Sequence, residues 1–151
     1  MKATIDKYIG YVLVFLMALM TVDVLWGVLT RYALGSQASW SEELARFLLI
    51  WIGILGAAYA SGQNLHLAID LLMPKLEEDN QRNLKRAINV LVIVFALLVM
   101  VVGGIRLMYI TQVLGQLSPA LRIPMWMVYS IVPVSGLLVI YYKTLDMRTA
   151  K

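Results

Sequence analysis

Four stretches of this chain are apolar, nearly free of charge, and long enough to cross a bilayer, for which a helix needs about 20 residues. They are Tyr8–Thr30, broken only by Asp23; Leu44–Ser61, with Arg46 near its start; Ala87–Ile105; and Ile123–Tyr142. A charge near the centre of a lipid-facing helix costs at least about 2.5 kcal/mol on the insertion scale, so uncharged runs of this length read as membrane helices. With helical ends included, the predicted spans are 8–30, 41–61, 87–110 and 123–142. The expected fold is all-α: an integral membrane four-helix bundle, a single membrane domain over residues 1–151. Four spans use roughly 80 residues and leave little for any domain outside the lipid.

Composition narrows the function classes. Of the 151 residues 61% are hydrophobic and only 15% charged, too few charges to cover a water-soluble enzyme. A net charge of +4 belongs to membrane topology here, and no nucleic-acid partner is expected. The chain has no cysteine and one histidine, His66, which excludes disulfides, thiolate metal sites, iron–sulfur clusters and bis-histidine haem. Neither cofactor nor metal is expected. Phosphate-binding glycine loops and nucleophile elbows are missing as well.

The distribution of cations sets the expected orientation. With the N-terminus cytoplasmic, the inner segments hold Lys2, Lys7, Lys75, Arg82, Lys85, Arg86, Lys143, Arg148 and Lys151, nine of the 13 basic residues. The outer side keeps Arg31, Arg46, Arg106 and Arg122, so both termini are expected in the cytoplasm. Tyr32, Trp40, Tyr109 and Trp126 on one side and Tyr8, Tyr141 and Tyr142 on the other stand where interfacial aromatic rings belong. Lys2 and Lys7 before an apolar run imitate a secretory signal, but the run continues through Trp26 and Val28 with no small-x-small site, which reads as an uncleaved first helix. The inner connection, Gly62–Arg86, carries enough leucine and isoleucine for a short interfacial helix before Pro74, with a solvated loop as the alternative. Gly115, Pro119 and Pro124 predict an irregular outer connection, 111–124.

Several polar residues invite a role. Ser39 with Glu42 forms a capping-box pattern at the start of the second span, and Arg46 stands i,i+4 from Glu42 and i,i+3 from Glu43. A local helix start with a snorkelling arginine and a polar contact to another membrane subunit both account for this segment, Trp40 and Ser41 included. Asp23 lies eight residues before Arg31 and reaches a depth close to Arg46 and Arg106, so Asp23, Glu42 and Glu43 can be balanced by Arg31, Arg46 and Arg106 within the bundle or across an interface. A proton-coupling role for Asp23 is the sharper alternative, disfavoured because arginines nearby hold a carboxylate ionised. Gly53, Ala57 and Ser61 share one stripe that permits close helix approach, most simply inside the bundle. Gly103-Gly104 allows close approach or a bend, and Pro133 is expected to kink the fourth span. His66 and Asp70, i,i+4, are too few for a metal and read as an anchoring pair.

Three segments together resemble a known family. Arg31-Tyr32 followed by Ser39-Trp40-Ser41-Glu42-Glu43-Leu44-Ala45-Arg46-Phe47, then Gly62-Gln63-Asn64-Leu65-His66-Leu67-Ala68-Ile69-Asp70, then Ser118-Pro119-Ala120-Leu121-Arg122-Ile123-Pro124 look like the small membrane subunit (DctQ-type) of tripartite ATP-independent periplasmic (TRAP) transporters. The resemblance implies a non-catalytic subunit of the bacterial inner membrane. It would pair as a heterodimer with a large membrane subunit that carries sodium-coupled, elevator-type transport. A periplasmic solute-binding protein would deliver organic acids, with sialic acid and C4-dicarboxylates equally open. On this reading Asp23, Arg31, Trp40, Ser41, Glu42, Glu43, Arg46, Gly53, Ala57, His66, Asp70 and Arg106 serve the large-subunit interface or structural ion pairs, and Tyr32, Gln37, Gln116 and Arg122 dock the binding protein. A self-contained four-span proton-coupled exporter is the competing reading, disfavoured because the two pairs of spans show no inverted similarity. A membrane anchor of a redox enzyme is discouraged by the single histidine.

Overall fold

The computed structural model describes residues 2–36, 38–63 and 78–149. The chain is all-helical there apart from turns and one isolated bridge between Leu117 and Pro124. Four helical segments, Lys2–Leu34, Ser39–Gly62, Asn83–Val113 and Met125–Met147, are long and apolar enough to cross a membrane. They form the expected four-helix membrane bundle. The proposed interfacial helix before Pro74 and the His66/Asp70 pair lie outside the described residues, as does Gln37.

The order of packing departs from the order of the chain. The first span (α1, Lys2–Leu34) packs on the second (α2, Ser39–Gly62), the second on the fourth, and the fourth on the third. The first and third spans are thus the edges of a row. Burial follows position: 39% of the apolar window of the fourth span is buried and only 11% of that of the third. On α1 one stripe is covered, Ile9, Leu16, Asp23 and Thr30 at seven-residue spacing with Gly27 between the last two. Such a repeat is the seam of a helix pair, and up to Asp23 it faces α2: Ile9 and Leu16 share a core with Leu48 and Leu55, and the Asp23 carbonyl accepts from Ser41.

Small residues set the close contacts on the other side of the row. The third span comprises α3 (Glu78–Phe95), a π-helical stretch (Ala96–Gly103) and α4 (Gly104–Val113). Gly136 of the fourth span sits so close to the π-helical stretch that a Cβ there would meet the Met100 Cβ at 2.8 Å, and one on Gly104 would meet the Pro133 ring at 2.8 Å. The fourth span itself is broken into α5 (Met125–Tyr129) and α6 (Ile131–Thr149). The break falls at Ser130, three residues before Pro133, which has no N–H to offer the Tyr129 carbonyl; this is the kink expected from the proline. Trp51 of α2 donates its indole N–H to the Val128 carbonyl at 3.0 Å and so ties the broken turn to the middle of the row.

The helix ends on the side of the two termini are joined by polar bonds. Tyr142, fully buried, donates its hydroxyl to Asp6 at 2.6 Å, and Gln63 donates to the other Asp6 oxygen at 3.2 Å. Gly62 lies against the Tyr142 ring, leaving no room for a side chain. Asp6, Gln63 and Tyr142 therefore fasten the first, second and fourth spans at one level.

These contacts separate two kinds of glycine. Gly136→Val should lower the unfolding free energy of the detergent-solubilised chain by about 1–3 kcal/mol, the usual cost of overpacking, whereas Gly56→Ala, with nothing within 4 Å of its Cβ, should leave it unchanged. Denaturant titration followed by circular dichroism checks both.

Candidate functional site

The most developed polar site lies where the start of α2 meets the loop between the third and fourth spans. That loop is fixed by its own backbone. Gly115, with φ +59°, ends α4; the Gly115 N–H bonds the Gln112 carbonyl at 3.0 Å and the Gln116 N–H the Thr111 carbonyl at 3.1 Å, a Schellman pair of bonds. Beyond it the Ser118 N–H bonds the Ile123 carbonyl at 2.9 Å, the Ile123 N–H returns to the Ser118 hydroxyl at 3.2 Å, and the Arg122 N–H bonds the Ser118 carbonyl at 3.1 Å. The connection is irregular, as expected from its glycine and prolines, but it is not loose. Closing it forces Arg122 to φ +53°, a left-handed conformation uncommon outside glycine, and leaves that side chain exposed.

Glu43 holds this loop to α2. One carboxylate oxygen accepts the backbone N–H groups of both Ala120 and Leu121 at 2.8 Å each, and Glu43 is buried. Hydrogen bonds from neutral donors to an ionised acceptor are among the stronger ones in proteins. Two residues earlier Ser41, also buried, donates its hydroxyl to the Asp23 carbonyl on α1 at 3.1 Å. Ser41 and Glu43 thus bind α2 to its neighbours on both sides within a single turn.

This arrangement corrects three local expectations. The capping box does not form: the N-cap is Ala38, with no side-chain cap, and Ser39 is already inside the helix. Glu42 instead takes Arg46 at 2.7 Å on the exposed face, with about two-thirds of each side chain open to the surroundings. Glu43 is not an i,i+3 partner of Arg46, because the loop amides claim its carboxylate. Nor is Asp23 balanced by arginine within the bundle, the first of the two expected arrangements: neither of its carboxylate oxygens has a hydrogen-bond partner among the described residues, although the residue is only 4% exposed. The physical reason is an overhang. Ser41 is the third residue of α2, whereas α1 runs on from Asp23 to Leu34, roughly 16 Å at 1.5 Å per residue. Asp23 is therefore level with the first turn of α2, and Arg46 lies a further turn along, already engaged by Glu42.

The other singled-out residues are dispersed. Arg31 and Tyr32 are exposed on the overhanging end of α1, Trp40 is exposed at the start of α2, and Arg106 is exposed on α4. Among the described residues, Arg31, Arg106 and Arg122 make no ion pair. Gln116 offers its backbone to the loop, its carbonyl accepting the Met125 N–H at 3.0 Å, and is otherwise exposed. Gly53 and Ala57 are exposed as well, and a Cβ on Gly53 would meet nothing within 4 Å, so the Gly53 end of the small-residue stripe is not taken up by packing inside the bundle. Asp6, Gln63 and Ser118 were not singled out from the sequence. Ser118 stands in the quoted Ser-Pro-Ala-Leu-Arg-Ile-Pro run, and the seven-residue spacing of Ile9, Leu16, Asp23 and Thr30 was the available signal for the α1 seam.

The profile of the DctQ component of the tripartite ATP-independent periplasmic transporters matches residues 20–148, a stretch that contains the Ser41/Glu43 turn and the loop it holds. The chain belongs to that family. It is 28% identical over 135 residues to a Haemophilus influenzae protein provisionally named a TRAP transporter small permease protein, covering 89% of this chain and 82% of that one. It is 32% identical over 88 residues to the sialic acid TRAP transporter small permease protein SiaQ of Vibrio cholerae, covering 58% of this chain and 51% of the relative. It is also 29% identical over 100 residues to the isethionate TRAP transporter permease protein DctMQ of Oleidesulfovibrio alaskensis, covering 66% of this chain but only 16% of that much longer one. The chain spans about half the length of SiaQ and a small part of DctMQ. As a DctQ-family member it is a TRAP small permease subunit, a membrane protein and a non-catalytic component of transport.

Removing the Glu43 carboxylate should free the loop. Glu43→Ala withdraws two charge-assisted bonds, about 3–6 kcal/mol in all, and should raise the rate of tryptic cleavage after Arg122 at least tenfold in the folded protein. Glu43→Gln, which keeps an acceptor, should be intermediate. Arg46→Ala breaks only an exposed pair and should leave both cleavage and unfolding unchanged.

Proposed function

We propose that this chain is the scaffold subunit of a sodium-coupled TRAP importer of organic acids, sialic acid or C4-dicarboxylates, in a bacterial inner membrane. It pairs as a heterodimer with a large membrane subunit, and a periplasmic solute-binding protein delivers the solute. Both termini are cytoplasmic, and residues 1–151 act as one membrane domain in the lipid bilayer.

The observation that carries this reading is the family match over residues 20–148, joined to a row of helices whose two edges are uncovered. Along the first span Val22, Leu25, Trp26 and Leu29 are exposed, and along the third Val102, Ile105, Tyr109 and Val113. Helix–helix contact in lipid is driven by packing and polar bonds, and an edge of this kind offers a long face for both. Arg106 stands on the third-span edge with no ion pair among the described residues, where a carboxylate of the large subunit would complete it. That a similar segment forms part of the longer permease DctMQ supports a working unit containing both. The outer loop held by Glu43 presents Arg122, and with Tyr32, Gln37 and Gln116 it forms the docking surface for the binding protein. Trp40, His66 and Asp70 belong to the scaffold contacts.

Co-expression with the large permease should recover the two chains together, and reconstituted uptake should require both plus the binding protein. Arg122→Glu should leave copurification intact while shifting the binding-protein concentration for half-maximal uptake several-fold upward; an unchanged titration would remove the docking role. A second reading rests on Asp23, a buried carboxylate without a cation partner among the described residues, as in a stand-alone proton-coupled exporter. Proton-driven flux by this chain alone in liposomes, abolished by Asp23→Asn, would establish that reading in place of the scaffold.

A further inference from the structure

The third and fourth spans are both irregular, and at the same level. The π-helical stretch Ala96–Gly103 ends where Gly104 lies against the ring of Pro133, three residues beyond the break at Ser130. Each irregularity weakens the backbone ladder. A π-helical turn bonds five residues back instead of four, and such turns, like prolines, are where helices bend. At the break the Ser130 N–H reaches the Met127 carbonyl at 3.3 Å and the Val134 N–H the Ser130 carbonyl at 3.4 Å, both longer than the usual ~2.9 Å.

Beyond this level lies a helical hairpin made of α4, the loop 114–124 and α5. Its parts hold to one another. α4 packs on α5 and only slightly on α6. The loop is closed on itself by the bonds between Ser118 and Ile123, and the Met125 N–H ties the start of α5 to the Gln116 carbonyl at 3.0 Å. Among the described residues, the polar bonds that join this hairpin to another span come from two side chains of α2. Glu43 accepts the Ala120 and Leu121 amides, and Trp51, eight residues or roughly 12 Å further along the helix, donates to the Val128 carbonyl. The length of α2 packs on α1 and α6 instead. Both side chains bond backbone groups of the hairpin, so they hold its main chain in place whatever side chains it carries.

We propose that residues 104–129 form a hinged hairpin, which pivots as one body about the adjoining irregularities at Ala96–Gly103 and Ser130–Pro133 and is latched closed by Glu43 and Trp51. Hinges are the few element-terminal positions that absorb a change of backbone angles, and here two of them touch. Opening carries the exposed side chains of Arg106, Gln116 and Arg122 away from α2, while Asp6, Gln63 and Tyr142 keep the other end of the bundle fastened. A protein docked on the loop moves this hairpin and leaves the rest in place. That consequence rests on the docking role given above; the hinge and its latch rest only on contacts within the chain.

The test is hydrogen–deuterium exchange, read by mass spectrometry, on the full-length chain in mild detergent, where a unit that opens cooperatively exchanges as a block. Trp51→Phe keeps an aromatic ring and loses the N–H; Glu43→Gln keeps an acceptor and loses the charge. Each alone should speed exchange about threefold or more throughout 104–129, and the two factors should multiply in the double variant. The deciding result is the crossed effect: Trp51→Phe should release the loop amides that Glu43 holds, and Glu43→Gln should release α5. Exchange in α3 and in α6 beyond Pro133 should not change, nor should any region respond to Arg46→Ala. Faster exchange confined to the neighbourhood of each substituted bond would overturn the proposal, because the loop and α5 would then open separately. So would acceleration spread over all four spans, which is loss of global stability, or unchanged exchange in both variants. None of these readouts involves transport, so the docking role can fail while the hinge stands.

Discussion

Within one turn of the second span, Ser41 and Glu43 reach in two directions. The hydroxyl of Ser41 bonds a carbonyl of the first span, and the carboxylate of Glu43 takes two amides of the loop leading into the fourth. Both side chains are buried, so water does not compete for these bonds. They also settle which helices are neighbours. With the second span bonded to the first on one side and packed on the fourth through Trp51 on the other, the third span is left to pack on the fourth alone.

The row that results has consequences for a subunit of a transporter. A closed bundle hides most of its apolar surface from other proteins, whereas a row exposes both edges along their full length. The first span also overhangs the second by about two and a half turns, which carries Arg31 and Tyr32 beyond the start of the second on the side where Glu43 holds the loop between the third and fourth spans. At the opposite end Asp6, Gln63 and Tyr142 bind three spans at one level. A body fastened at both ends and uncovered along its edges leaves two long apolar faces open to lipid or to another membrane protein.

The glycines show how far composition can mislead about packing. Gly53 belongs to the most conspicuous small-residue stripe in the sequence, yet it faces open groove. Gly104, expected from the Gly103-Gly104 pair to allow close approach, does so against Pro133, whereas Gly62 and Gly136 have no comparable pattern and stand where a Cβ would collide with Tyr142 and Met100. Close approach depends on what lies opposite, and a periodic pattern on one helix carries no information about the other.

Sequence alone determined that the chain forms four helices long and apolar enough to cross a membrane, because uncharged runs of that length mark them, and it placed the fourth-span break near Pro133, because a missing N–H acts locally. It also marked Ser41, Glu43 and Arg46 as belonging to one segment. What it offered for their partners were the residues three and four positions away, since those are the only neighbours a linear pattern exposes. Tertiary structure assigned Glu43 to amides 77 and 78 residues distant and left Asp23 without an arginine partner among the described residues, because the offset between the first two helices sets the level of every side chain between them. That offset depends on how the connection folds back and on which bonds close across it, and both are properties of the assembled chain.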